Sequence, residues 1–150
     1  MEVKELGHIV LYVSDLDKSA AFYRDVLGWK QIAPDVAGFR ATAFSSGRTH
    51  HELLLIEVGP DAARQPAGRR IGLYHFGLKV GETDDELREA LATLQAHNVR
   101  IVGASDHTVT HSLYILDPDG NEIELYIDVQ PAIWKDDPAA VLAPIKPLRL

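Results

Sequence analysis

Seven histidines and no cysteines set the chemistry open to this 150-residue chain. Without thiols there is no disulfide framework, no cysteine nucleophile and no sulfur-ligated zinc, and the composition fits a reducing compartment. Imidazoles and carboxylates remain, which suit general acid–base work or a divalent metal. Two of the histidines recur in register. The run Leu6 to Val13 aligns with Leu73 to Val80, bringing Leu, His, Leu and Val into step and pairing His8 with His75 at a spacing of 67. A second alignment, at a spacing of 71, sets His51–Val58 against Glu122–Val129. Strand alternation then sorts the faces. Ile123, Leu125 and Ile127 share one face, and Glu122, Glu124, Tyr126 and Asp128 share the other. A glutamate on the face away from a helix either meets water or lines a polar cavity. By the same alignment His51 and Leu53 fall on the cavity side and His50 off it.

The elements that must position these residues also repeat. Asp15 to Leu27 and Asp84 to His97 carry apolar residues at three- and four-residue steps, as helices do. Asp15 and Asp84 suit helix N-caps, and Gly28 and Asn98 suit the left-handed residue that closes a helix. Strand signals follow each helix: Trp29–Ile32, Phe39–Ser45 and His51–Val58, then Val99–Gly103, His111–Leu116 and Glu122–Val129. Asp117-Pro118-Asp119-Gly120 is a turn signal before the last of these. Each half therefore reads β-α-β-β-β, which gives module one at 5–58, a Pro-, Gly- and Arg-bearing linker at 59–70, and module two at 71–129. The tail, 130–150, reads as an extension ordered by its contacts, with Trp134 expected to be buried.

Composition narrows the partners. A net charge of −7 argues against a general grip on nucleic acid, which needs a basic surface. No apolar run approaches the roughly 20 residues that cross a bilayer, and Met1 to Glu5 is charged without a signal-peptide pattern. The expectation is a cytoplasmic protein without a membrane partner.

Two βαβββ modules, a histidine in the first strand of each, and Asp117-Pro-Asp-Gly-Asn-Glu-Ile-Glu-Leu-Tyr126 closing the second resemble the vicinal oxygen chelate superfamily. It includes glyoxalase I, fosfomycin- and bleomycin-resistance proteins, methylmalonyl-CoA epimerase and type I extradiol dioxygenases. The resemblance implies an α+β fold in which two βαβββ modules curve their sheets into a half-open barrel around one metal site. It implies His8, His75 and Glu124 as metal ligands. The fourth slot, the counterpart of Glu124 in module one, is assigned to Leu53, where glyoxalase-like members carry a carboxylate. Two His and one carboxylate is the arrangement of non-haem Fe(II) oxygenases, so the resemblance points to Fe(II), with Mn(II) or another divalent metal as alternatives.

Further matches resemble the extradiol branch. Its H-x-x-x-H pattern, then Tyr, then Glu ten residues on, is met by His107, His111, Tyr114 and Glu124. The His-to-Tyr gap of seven is two shorter than in the larger enzymes, which carry an extra pair of modules. His50-His51 resembles the place of the branch's acid–base histidine, and alternation selects His51. The implied function is catechol 2,3-type ring cleavage of a small aromatic substrate with O2. In it His51 is the proton carrier, and His107 and Tyr114 are hydrogen-bond donors to developing oxygen charge. The family habit implies a homodimer or higher homo-oligomer. The alternatives are a glyoxalase-, epimerase- or fosfomycin-resistance-type metalloenzyme, reached if Glu52 supplies the missing carboxylate, and a bleomycin-resistance-like binding module.

Overall fold

The computed structural model describes residues 1–33, 38–66 and 68–150, which fall into two compact units, Met1–Ala67 and Gly68–Leu150. Ala67, inside the expected linker, lies outside the described residues.

In the first unit β1 (Ile9–Val13) leads into helix α1 (Leu16–Ala21). Strands β2 (Gln31–Ala33), β3 (Ala41–Phe44) and β4 (Leu53–Glu57) follow. Asp15 caps α1, its side chain accepting from the Lys18 N–H at 3.0 Å. The expected continuous helix changes pitch after Ala21 into a π-helical turn, Phe22–Val26. The Leu27 N–H reaches back to the Phe22 carbonyl at 3.2 Å, and Gly28 then leaves at φ +67°. The sheet order is β1-β4-β3-β2, with β1 parallel to β4. Leu11 and Val13 of β1 and Leu53 and Leu55 of β4 are buried on the face that packs on α1. Each such buried side chain contributes roughly 1.5–3 kcal/mol. Tyr23 is fully buried, its ring 6.0 Å from that of Phe44.

The second unit repeats the pattern. It runs β5 (His75–Gly81), α2 (Asp84–Ala96), β6 (Ile101–Asp106), β7 (Thr110–Leu116) and β8 (Glu122–Asp128). Its sheet order is β5-β8-β7-β6-β9, again with the first and last module strands parallel. Thr83, one residue before the expected Asp84, caps α2. Its hydroxyl accepts from the Glu86 N–H while the Glu86 side chain bonds back to the cap, satisfying two free donors at once. Asn98 closes the helix at φ +54°. Ile123, Leu125 and Ile127 are buried under α2, and Glu122, Glu124, Tyr126 and Asp128 alternate with them, half-buried on the other face. The folded chain is thus α+β, with open sheets of four and five strands among the described residues. No helix of the described residues is long and apolar enough to cross a membrane.

Two further expectations change. The strand registers pair Ile9 with Leu53 and Phe76 with Ile123, so the last strands correspond at a spacing of 70, not 71. Leu53 is therefore a core residue, 1% exposed, and Leu54 is the counterpart of Glu124. The tail forms a short helix α3 (Pro131–Asp136), a 3-10 turn (Pro138–Leu142) and β9 (Lys146–Pro147). It is held by backbone pairing of β9 with β6 and not by apolar burial. Trp134 is 39% exposed, with the Lys135 ammonium 5.6 Å from its ring centre.

Glu57 ties β4 to α1. Its carboxylate accepts from the Leu16 N–H at 2.8 Å and pairs with Arg40 at 3.1 Å. Arg40, then the Leu16 N–H, hold the Glu57 carboxyl below the usual range. A depressed folded value stabilises fully above the unfolded pKa of about 4.3 and is lost as pH falls through the folded value. Glu57→Gln is thus expected to lower the melting temperature at neutral pH, and the gap to wild type should close in thermal scans taken at progressively lower pH.

Candidate metal centre

In the second unit the register of β5 against β8 places His75 opposite Glu122 and Gly77 opposite Glu124, all on the face away from α2. The His75 Nε2 lies 3.3 Å from the Glu124 Oε2. The other carboxylate oxygen, Oε1, accepts from the Tyr114 hydroxyl at 3.1 Å. Tyr114 stands across the β7–β8 ladder from Glu124, and its oxygen lies 2.7 Å from the His107 Nε2. A hydroxyl has one proton. Given to Glu124, it leaves the tyrosine oxygen as acceptor, so the His107 Nε2 carries hydrogen and donates. Burial, then the Glu124 charge, push the Tyr114 phenol well above its ordinary value, keeping it a donor. His107 reaches this place from the β6–β7 turn. There Thr108 takes φ +73° and its N–H bonds the Asp106 carboxylate at 2.6 Å.

His111, the other member of the H-x-x-x-H pair, turns to the opposite face of β7. Its Nδ1 sits 2.6 Å from Asp84 at the start of α2, away from Tyr114. Two glycines make room for the set. A Cβ on Gly77 would lie 3.3 Å from the Tyr126 ring and 3.7 Å from the Glu124 Oε2, and one on Gly103 would lie 3.3 Å from the Tyr114 ring. Sequence reasoning passed over both, although a glycine inside a strand signals close approach.

In the first unit His8 precedes β1, and three imidazoles gather. The His8 ring centre lies 4.5 Å from that of His51 and 6.0 Å from that of His50. The two neighbouring Nδ1 atoms of His50 and His51 are 2.6 Å apart, one donating and one accepting. Alternation had set His50 apart, but β4 begins only at Leu53, and the preceding turn follows no two-residue period. Burial, then His50 and His8, lower the His51 pKa, so His51 is neutral at physiological pH. Arg48 fixes the approach to His8, donating to the Leu6 and Gly7 carbonyls at 3.3 and 3.1 Å and pairing with Glu5 at 3.1 Å. The Glu52 carboxylate is engaged by the Ser46 N–H at 2.7 Å, by the Ser46 hydroxyl and by Arg48 at 3.4 Å. The position matching Glu124 holds Leu54. Among the described residues no three His, Asp or Glu groups close on one metal-sized point. His75 and Glu124 come as a pair in one unit, and His8 stands in the other.

The model of the Glyoxalase/Bleomycin resistance protein/Dioxygenase superfamily matches residues 5–125. The chain belongs to this superfamily. It is 35% identical over 136 residues to a catechol-2,3-dioxygenase of Bacillus subtilis, covering 91% of this chain and 46% of that protein. It is 34% identical to a biphenyl-2,3-diol 1,2-dioxygenase of Paraburkholderia xenovorans, covering 79% of this chain and 39% of that enzyme. The chain thus spans less than half the length of these two dioxygenases. It is 31% identical to the glutathione transferase FosA of Serratia marcescens, covering 83% of this chain and 82% of that protein. Among solved structures, a glyoxalase/dioxygenase from Nostoc punctiforme shares the fold at a TM-score of 0.68 and 20% identity, covering 85% of this chain and 92% of that one.

Members of the superfamily bind divalent metals, and the residues of the second unit fit one. Ligand atoms about 2.1 Å from a common ion stand roughly 3.0–3.4 Å apart at octahedral to tetrahedral angles. The 3.3 Å between the His75 Nε2 and the Glu124 Oε2 falls in that range. Nitrogen and carboxylate oxygen suit Fe(II), Mn(II) and Zn(II) alike.

The hydrogen-bond chain predicts its weakest link. Tyr114→Phe strips a partner from both Glu124 and His107, and should cost about 1–3 kcal/mol in urea unfolding. His107→Ala, at the end of the chain, should cost less.

Proposed function

We propose that the chain is an extradiol dioxygenase that uses Fe(II), or Mn(II) in its place, to open the ring of a catechol-like aromatic with O2. The observation that carries this reading is the connected set His107–Tyr114–Glu124–His75, with tyrosine and carboxylate ten residues apart and hydrogen-bonded. The dioxygenase relatives support it. His8, His75 and Glu124 are the residues that would hold the metal.

When bound, the metal supplies Lewis acidity at a substrate phenol oxygen and a common anchor for both substrates. The protein's own groups do the rest. His51, neutral through burial and its histidine neighbours, accepts a catechol proton. Its Nδ1 is taken up with His50, which leaves Nε2 for the substrate. The resulting imidazolium returns the proton to oxygen as the ring opens. Tyr114 holds Glu124 by one oxygen, so the carboxylate keeps a fixed orientation with its other oxygen free for a ligand role. His107, donating to Tyr114, keeps the tyrosine proton aimed at Glu124.

A second reading, an oxygen-independent electrophilic site, is favoured by the match to FosA over most of that protein's length. Leu54, in place of a fourth carboxylate, weighs against it.

Elemental analysis of freshly purified protein, followed by oxygen uptake on a panel of catechols, tests the proposal. His75→Ala and Glu124→Ala should lose metal and activity together. His51→Ala should retain the metal while turnover falls by about 10²–10⁴-fold. Metal loss in the His51 variant reassigns it as a ligand. Metal-dependent turnover that persists without oxygen selects the second reading.

A further inference from the structure

The His75 ring has two nitrogens and a carboxylate on each side. Its Nε2 faces Glu124 at 3.3 Å. Its Nδ1 is buried without a hydrogen-bond partner, and the carboxylate nearest to it is Glu122, with Oε1 at 3.8 Å. A neutral imidazole carries one proton. If that proton sits on Nε2 it is donated to Glu124, and neither group is left to bind a metal between them. If it sits on Nδ1, the Nε2 lone pair is open.

We propose that Glu122 is the positioning residue that selects the second arrangement: it accepts the Nδ1–H of His75 and so makes Nε2 the ligand atom. This rests on the metal reading given above.

The local structure supports the role. Glu122 is the first residue of β8 and the register partner of His75, so the two side chains leave the sheet side by side. The turn before it is closely hydrogen-bonded. Buried Asp117 accepts from the Asp119 N–H at 3.0 Å, the Asn121 N–H at 2.8 Å and the Asn121 amide at 2.9 Å. Glu122 in turn raises the pKa of the neighbouring Tyr74 phenol. The Glu122 side chain is 20% exposed, so little solvent competes for its carboxylate. The first unit shows what happens without this arrangement. There Glu52 lies just ahead of β4, Ser46 and Arg48 take its carboxylate, and His8 packs against His51. A carboxylate behind a ligating imidazole typically strengthens metal binding 10–100-fold.

Two measurements test this. The first needs no variant. Long-range 15N NMR of the metal-free protein, in mildly alkaline buffer, should show His75 protonated at Nδ1; protonation at Nε2 overturns the proposal. The second uses Glu122→Gln, whose amide can offer a hydrogen to Nδ1 and so favour the opposite tautomer. Titration with Mn(II), followed by the electron paramagnetic resonance of the free ion, should show binding weakened about 10–100-fold at an unchanged melting temperature. The NMR of the same variant should show the proton moved to Nε2. Unchanged Mn(II) affinity and tautomer in the folded variant refute the role of Glu122. Mn(II) binding lost from wild type refutes the metal reading instead, while the tautomer still decides the positioning role.

Discussion

The parallel pairing of the first and last strands within each module is the constraint on which the rest depends. Parallel partners keep matched residues on one face, so a single register fixes which side chains can meet. In the second unit that register brings His75 beside Glu122 and Glu124 while sending Phe76, Ile123 and Leu125 under α2. The same burial that stabilises the unit therefore orients the imidazole and the carboxylates. A slip of one residue would expose the core and bury two acids together, which is why the site geometry is as well defined as the core itself.

Much of this was legible in the residues. The Glu122–Asp128 run alternates apolar and polar without exception, so its faces could be assigned directly. The matched Leu-x-His-x-x-Leu-x-Val runs announced the two modules. The run Leu53-Leu54-Leu55-Ile56 was not legible in the same way. Four consecutive apolar residues erase the two-residue period, and only the observed ladder shows that Leu54, not Leu53, stands where Glu124 does. Alternation does not sort His50 from His51 for a related reason, since it holds only inside a strand and β4 begins at Leu53. Trp134 misled because an apolar residue in an ordered segment need not be covered.

The two modules have diverged in how they use one scaffold. One surrounds its strand histidine with carboxylates and a tyrosine hydroxyl, the other with further imidazoles and an arginine-braced entry. The acidic side is suited to holding charge in place, and the imidazole side to moving a proton near neutral pH. One fold pattern, used twice, thus carries two differently charged settings, with Leu54 standing where the other unit has Glu124.

The short pairing of Lys146 and Pro147 with the outer rim of β6 has a consequence for life in a crowded solution. An open sheet offers its rim to any other extended chain, and a flat rim invites polymerisation. Here the rim is covered by two residues of the kinds that stop such growth: proline brings no amide hydrogen to the next strand, and lysine brings a charge that resists burial. The Lys146 ammonium is further tethered to Thr108 at 3.3 Å, at the turn that carries His107. The segment that bonds the turn beside the tyrosine thus also leaves the sheet a rim poorly suited to strand-by-strand growth.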